Sequence, residues 1–201
     1  CREIDSRLKS EYSRESLEEF IRKYNHIWTL LYIVFYMPWF MWLEKTVTTD
    51  FHLVSMPIDY KIPFCEYFII PYFMWFLFVP AIVGYEFFYS KKEYYQCCAY
   101  LFSGMTIFLI ICTIWHNGLD LRQDISYNNN LCARLVKMLY KTDTSTNVFP
   151  SLHVFNTLGC LVALYKSKGT KDKSWIKVIA TIIGILIILS TMFLKQHSVW
   201  D

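Results

Sequence analysis

Charge is scarce in this 201-residue chain: Asp, Glu, Lys and Arg make up 18% of it, against 55% apolar residues and 19% aromatic ones. A soluble domain carries about 25% charged residues, so the balance points to a membrane class. The net charge of +3 is too small and too dispersed to imply a nucleic-acid partner. The seven cysteines lack paired metal-ligand spacing, and Cys97, Cys112 and Cys160 fall inside apolar runs, where a thiol behaves as a small hydrophobe. This argues against a disulfide framework or a cysteine metal centre. Internal repeats and low-complexity tracts are absent, and no basic stub with a short apolar run and cleavage site precedes the first apolar stretch. Residue 1 is Cys rather than Met, so a trimmed piece of a longer chain is expected.

What the chain does have is long apolar runs. Residues 1–26 read as a charged amphipathic arm, with Leu8, Leu17, Phe20 and Ile21 as a modest apolar stripe, lying on a membrane surface or solvated. Residues 27–201 read as one all-α, multi-pass transmembrane helix bundle. Its five spans are expected at about 27–43, 64–89, 97–116, 148–165 and 175–194. Trp28, Trp39 and Trp42 sit near the ends of the first, where interfacial aromatics belong. Pro38, Pro71 and Pro80 are tolerable because neighbouring helices satisfy freed carbonyls. The run 151–165 reaches spanning length only if preceding residues join it. Between the third and fourth spans, residues 131–141 have helical spacing suited to an interfacial helix.

Lys and Arg are distributed unevenly about these runs. The amino-terminal arm, Lys91 and Lys92, and Lys166, Lys168, Lys171 and Lys173 outnumber the residues of the other side: Lys45, Lys61, Arg122, Arg134, Lys137, Lys141 and Lys195. The richer side is expected to be cytoplasmic. The amino terminus is then inside and the loop 117–150 and the segment after residue 194 emerge on the outer face, most naturally of a plasma membrane. A sixth span is expected beyond residue 201.

Three polar clusters therefore converge: Asn117–Asp124 (NGLDLRQD), Asn147–Val154 (NVFPSLHV) and Lys195–Asp201 (KQHSVWD). His197 and Asp201 are four apart, so on a continuing helix the carboxylate holds one ring nitrogen and leaves the other free to attack. Attack on phosphorus also needs donors for the phosphoryl oxygens and an acid for the departing alkoxide. Arg122, Lys195 and Ser151 are the candidate phosphate-binding groups and His153 the candidate acid, with no metal or cofactor required. A helix starting near Pro150 would add free N–H groups. His116 and Asn117 read as interfacial polar residues, and Asp120 and Asp124 as tethers for Arg122.

Pro150-Ser151-Leu152-His153, and Ser190-Thr191 followed by His197 and Asp201, resemble two signatures of the type 2 phosphatidic acid phosphatase superfamily over about residues 97–201. The resemblance implies His197 as a nucleophile that becomes phosphohistidine, Asp201 as its orienting partner, His153 as acid and then base, and Arg122 and Ser151 on phosphate. Trp115 stands where that family has its first Lys, Gln123 follows Arg122 in place of Pro, Leu152 replaces Gly, and Thr191 replaces an Arg whose cation Lys195 would supply.

The expected function is that of a metal-independent membrane phosphatase acting on a lipid phosphate or diphosphate ester. The alternative is a phosphotransferase of the sphingolipid-synthase type, in which an alcohol replaces water. Two rivals from other classes are a noncatalytic protein that binds anionic lipid and a zinc hydrolase built on His153 and His197, with His116 as a marginal third ligand.

Overall fold

The computed structural model describes residues 18–201, so most of the expected amino-terminal arm lies outside the described residues. Residues 18–24 are helical and run through a 3-10 stretch, Asn25–Leu31, into α1 (Tyr32–Thr46). Five further helices follow: α2 (Ile69–Tyr89), α3 (Lys91–Ile114), α4 (Leu131–Thr142), α5 (Leu152–Lys166) and α6 (Ser174–Phe193).

The chain is thus mostly helical, and four stretches are long and apolar enough to cross a membrane: Glu18–Thr46, Glu66–Tyr89, Lys91–Ile114 and Ser174–Phe193. Large apolar side chains cover their outer surfaces; Phe35, Leu77 and Ile114 are 76%, 75% and 81% exposed. Contiguous surface of that kind suits lipid rather than water. Five spans were expected. The one that does not qualify is α5, whose 15 residues give a helix of about 22 Å, short of the roughly 20 residues a span requires. The first stretch also begins ahead of residue 27, because the 3-10 turn carries the arm's helix straight into α1.

Helices α2, α3, α5 and α6 pack together around Phe78, Ile82, Leu101, Cys160, Leu164 and Ile187. Small residues let them approach: a Cβ on Gly104 of α3 would run into the Phe155 ring of α5, the close crossing typical of helices in lipid. Between α2 and α3 the extended Ser90 stops one helix and starts the next, its Oγ accepting the Glu93 N–H at 3.4 Å. Helix α1 leans chiefly on α3, through Tyr36, Leu43, Phe108 and Leu109.

The helix read at 131–141 is present as α4, capped by Asn130, whose side chain accepts the Ala133 N–H at 2.8 Å. Its apolar stripe, Val136 and Leu139, packs against Ile69, Tyr72 and Leu194 at one end of the bundle. There the connections are sewn together. β1 (His52–Leu53) runs parallel to β2 (Asn117–Gly118), and Gly118 bridges to Thr146. The three polar clusters consequently meet at the same end.

Candidate active site

The site forms where α6 stops. The Lys195 N–H donates to the Met192 carbonyl at 3.1 Å and the Gln196 N–H to Thr191 at 2.9 Å, with Lys195 at φ 56°. This is a Schellman stop, in which the residue past the cap takes the left-handed region that glycine favours. A lysine there costs about 1–2 kcal/mol. Its side chain offsets the strain, Nζ donating to the carbonyls of Asp59 and Ile62 at 2.6 Å each. Burial lowers the Lys195 pKa from its ordinary value, while Asp59 opposes the shift.

His197 and Asp201 therefore meet in a turn, not on a continuing helix as their spacing suggested. His197 Nδ1 lies 2.6 Å from Asp201 Oδ2, and the carboxylate is fully buried. The pair orients the ring and leaves Nε2 without a partner among the described residues, on the wall of a cavity. A second carboxylate secures the turn: Asp59 accepts the Ser198 hydroxyl at 2.6 Å and the Val199 N–H at 2.8 Å. Asp59 was missed in the sequence because no motif surrounds it.

His153 comes from the first turn of α5. Ser151 is the N-cap of that helix, its Oγ accepting the Val154 N–H at 3.4 Å. The segment before it is pinned by buried Asn117, whose Oδ1 accepts the N–H groups of Val148 and Phe149 at 3.0 and 2.8 Å. Asn117 is thus a buried brace and not an interfacial polar residue. His153 packs between the rings of Tyr72 and Trp75, at 4.6 and 4.5 Å, and its Nε2 finds no partner among the described residues. Its ring centre is 5.6 Å from that of His197, about two hydrogen-bond lengths.

Both histidines line a cavity of about 360 Å³. Apolar and aromatic side chains from α1, α2 and α3 make up much of its wall, and Glu44, Asp143, Asn147, Gln196 and the threonines at 142, 144 and 146 belong to its polar part. No Lys or Arg lines it among the described residues.

The three expected phosphate-binding groups are accordingly elsewhere. Lys195 is spent on the turn at 59–62, and Ser151 on capping α5. Arg122 lies over the Tyr140 ring at 4.7 Å, with Nη1 donating to the carbonyls of Tyr140 and Asp143 and Nη2 to that of Thr144. Its remaining contact is informative: Nη2 also donates to Gln196 Oε1 at 3.0 Å. Gln196 is buried and its Nε2 has no partner among the described residues. Arg122 thus holds the acceptor end of an amide whose donor end is unused at the cavity. Asp124 bonds Ser126 through both carboxylate oxygens instead of tethering Arg122. The residues that would complete a zinc site do not gather either, since no group of three His, Cys, Asp or Glu suited to a metal occurs among the described residues.

No protein-family model, curated protein or solved structure matches this chain. Its class is defined by the fold and site alone: a helical protein with four helices able to cross a membrane and a histidine-lined cavity at one end.

Proposed function

We propose that this protein is a metal-independent membrane enzyme that cleaves a lipid phosphate or diphosphate ester through a phosphohistidine at His197, as its resemblance to the type 2 phosphatidic acid phosphatases implies. One observation carries the reading: a ring held at Nδ1 by a buried carboxylate at 2.6 Å, with Nε2 free on a cavity shared with a second histidine.

The Nε2 lone pair attacks phosphorus while the bond from phosphorus to the alcohol oxygen breaks, and His153 gives its proton to the leaving alkoxide. Asp201 stabilises the imidazolium that results. Water then attacks the phosphohistidine, losing a proton to His153 as the N–P bond returns its electrons to His197. The free amide donor of Gln196, braced from behind by Arg122, is suited to a phosphoryl oxygen. The unbonded backbone N–H groups at the start of α5 are a second source of donors. Arg122 acts in this scheme through Gln196 and does not touch phosphate.

The apolar wall of the cavity favours keeping the phosphotransferase variant, in which a lipid alcohol in place of water resolves the intermediate. The charge distribution supports the finer topology: α5 as a fifth, short span, the amino terminus in the cytoplasm, and the site on the outer face of the plasma membrane.

Two substitutions test the chemistry. In vesicles, His197→Ala should reduce turnover to background and leave no acid-labile phosphorus on the protein. Asp201→Asn should lower kcat on the order of 10²–10⁴-fold with the protein still folded. Full turnover by His197→Ala would end the proposal.

A further inference from the structure

At the end of the molecule opposite the histidine cavity lies a larger pocket, of about 750 Å³. It opens where α5 stops and α3 starts. Lys166 closes α5, Lys168 heads the 3-10 turn Lys168–Thr170 that follows, and Lys92 stands in the first turn of α3. Glu93 draws these distant segments together: its Oε2 accepts the Ser167 hydroxyl at 2.9 Å and its Oε1 the Lys168 N–H at 3.4 Å. Three lysines thereby line one pocket, and none of their ammonium groups has a hydrogen bond or ion pair among the described residues. Glu93 is the one acid of that lining among the described residues, and both its oxygens are engaged in the stitch.

Two features separate this cluster from ordinary solvated lysines. The dipole of α5 favours Lys166 and Lys168 at its carboxyl end, but Lys92 meets the positive end of α3, where a cation is disfavoured. Its neighbour Lys91 is held by the Arg22 carbonyl at 2.7 Å and by Asn25 Oδ1 at 3.0 Å; Lys92 has no such support. An anion among the three lysines relieves their mutual repulsion and the conflict at the helix start together.

The second feature is an apolar floor that runs out to the side of the bundle. Tyr100 of α3 and Val162 of α5 line the pocket and are 43% and 47% exposed. Gly159 lets the two helices close beneath it, since a Cβ there would run into the Tyr100 ring. A small soluble anion leaves that floor uncovered, whereas an amphiphile covers it with its chains while its head meets the lysines. Basic pockets between the helices of membrane bundles hold acidic headgroups in this way.

We propose that this pocket binds an anionic phospholipid from the surrounding bilayer, its phosphate among Lys92, Lys166 and Lys168 and its chains along Tyr100 and Val162. The site is separate from the cavity at His197 and does not depend on the chemistry proposed there.

The test titrates the full chain, in detergent micelles, with phosphatidylglycerol or with phosphatidylcholine of the same chains, and counts bound lipid by native mass spectrometry. Phosphatidylglycerol should bind at least about tenfold more tightly. Lys92→Gln and Lys168→Gln, which break no side-chain hydrogen bond among the described residues, should each weaken phosphatidylglycerol about fivefold and leave phosphatidylcholine unchanged. Lys171→Gln, at the same end but outside the lining, should change neither. Equal affinity for the two lipids overturns the site. A loss in Lys171→Gln as large as that in Lys168→Gln also overturns it, because the attraction would then belong to the whole basic face. Full displacement of phosphatidylglycerol by inorganic phosphate at an equal concentration would overturn the lipid as the occupant.

Discussion

Asp143 is a residue whose ionisation the fold works against. Burial pushes its carboxyl up to about 6, the neighbouring Glu44 adds to the rise, and Arg122 and His197 pull it back. Because the folded-state value lies above the ordinary 3.8 of an aspartate, the folded protein keeps this proton over a range where the unfolded chain has released it. The stability contribution is therefore fully present below pH 4 and lost as pH rises through 6. Asp143→Asn should be more stable than the native protein at pH 7, by roughly 1–3 kcal/mol, and the two should converge near pH 4. Thermal unfolding of the purified protein at both pH values decides this; equal Tm shifts at the two would show that ionisation is not the cause. At the same scale, spacing alone was enough to bring out the pairing of His197 with Asp201. It was not enough for Arg122, Lys195 and Ser151, because a sequence gives the charge of a side chain and not the carbonyls that will surround it.

At the scale of elements, the helix ends carry the site. The end of α6 would have been hard to foresee: Lys195 occupies a left-handed position that usually signals glycine, and only the carbonyls of the distant 59–62 turn make it tolerable. The start of α5 depends on another long-range contact. Asn117 donates through Nδ2 to the Trp115 and Phe149 carbonyls at 3.0 and 3.2 Å while accepting two N–H groups from the strand-like run before Pro150. Asn117→Ala leaves those N–H groups buried and unpaired, at a cost of about 2–4 kcal/mol. It should lower Tm and, by loosening the turn that carries His153, lower kcat more than it raises KM. A variant with unchanged Tm would mean that the run is held by other contacts. The apolar runs themselves were plain in the sequence, since period and length register directly in composition. The status of α5 was not, because a helix of 15 residues is set by its caps as much as by its hydropathy.

For the whole molecule, sidedness is the outstanding property. Tyr127, 76% exposed, belongs to the end that holds the cavity, and Lys171 to the opposite end, in the turn between α5 and α6. An epitope inserted beside Tyr127 should be stained on intact cells, and one beside Lys171 only after permeabilisation. The reverse pattern would invert the orientation and put the cavity's end in the cytoplasm.

Helix α1 has its main anchorage on α3 alone, while the histidines ride on α5 and on the turn after α6. On the proposed chemistry, the apolar wall and the reacting ring would belong to different parts of the chain. A lineage that exchanges the Tyr36–Phe40–Glu44 face for another would then reshape the cavity without disturbing the His197 ring.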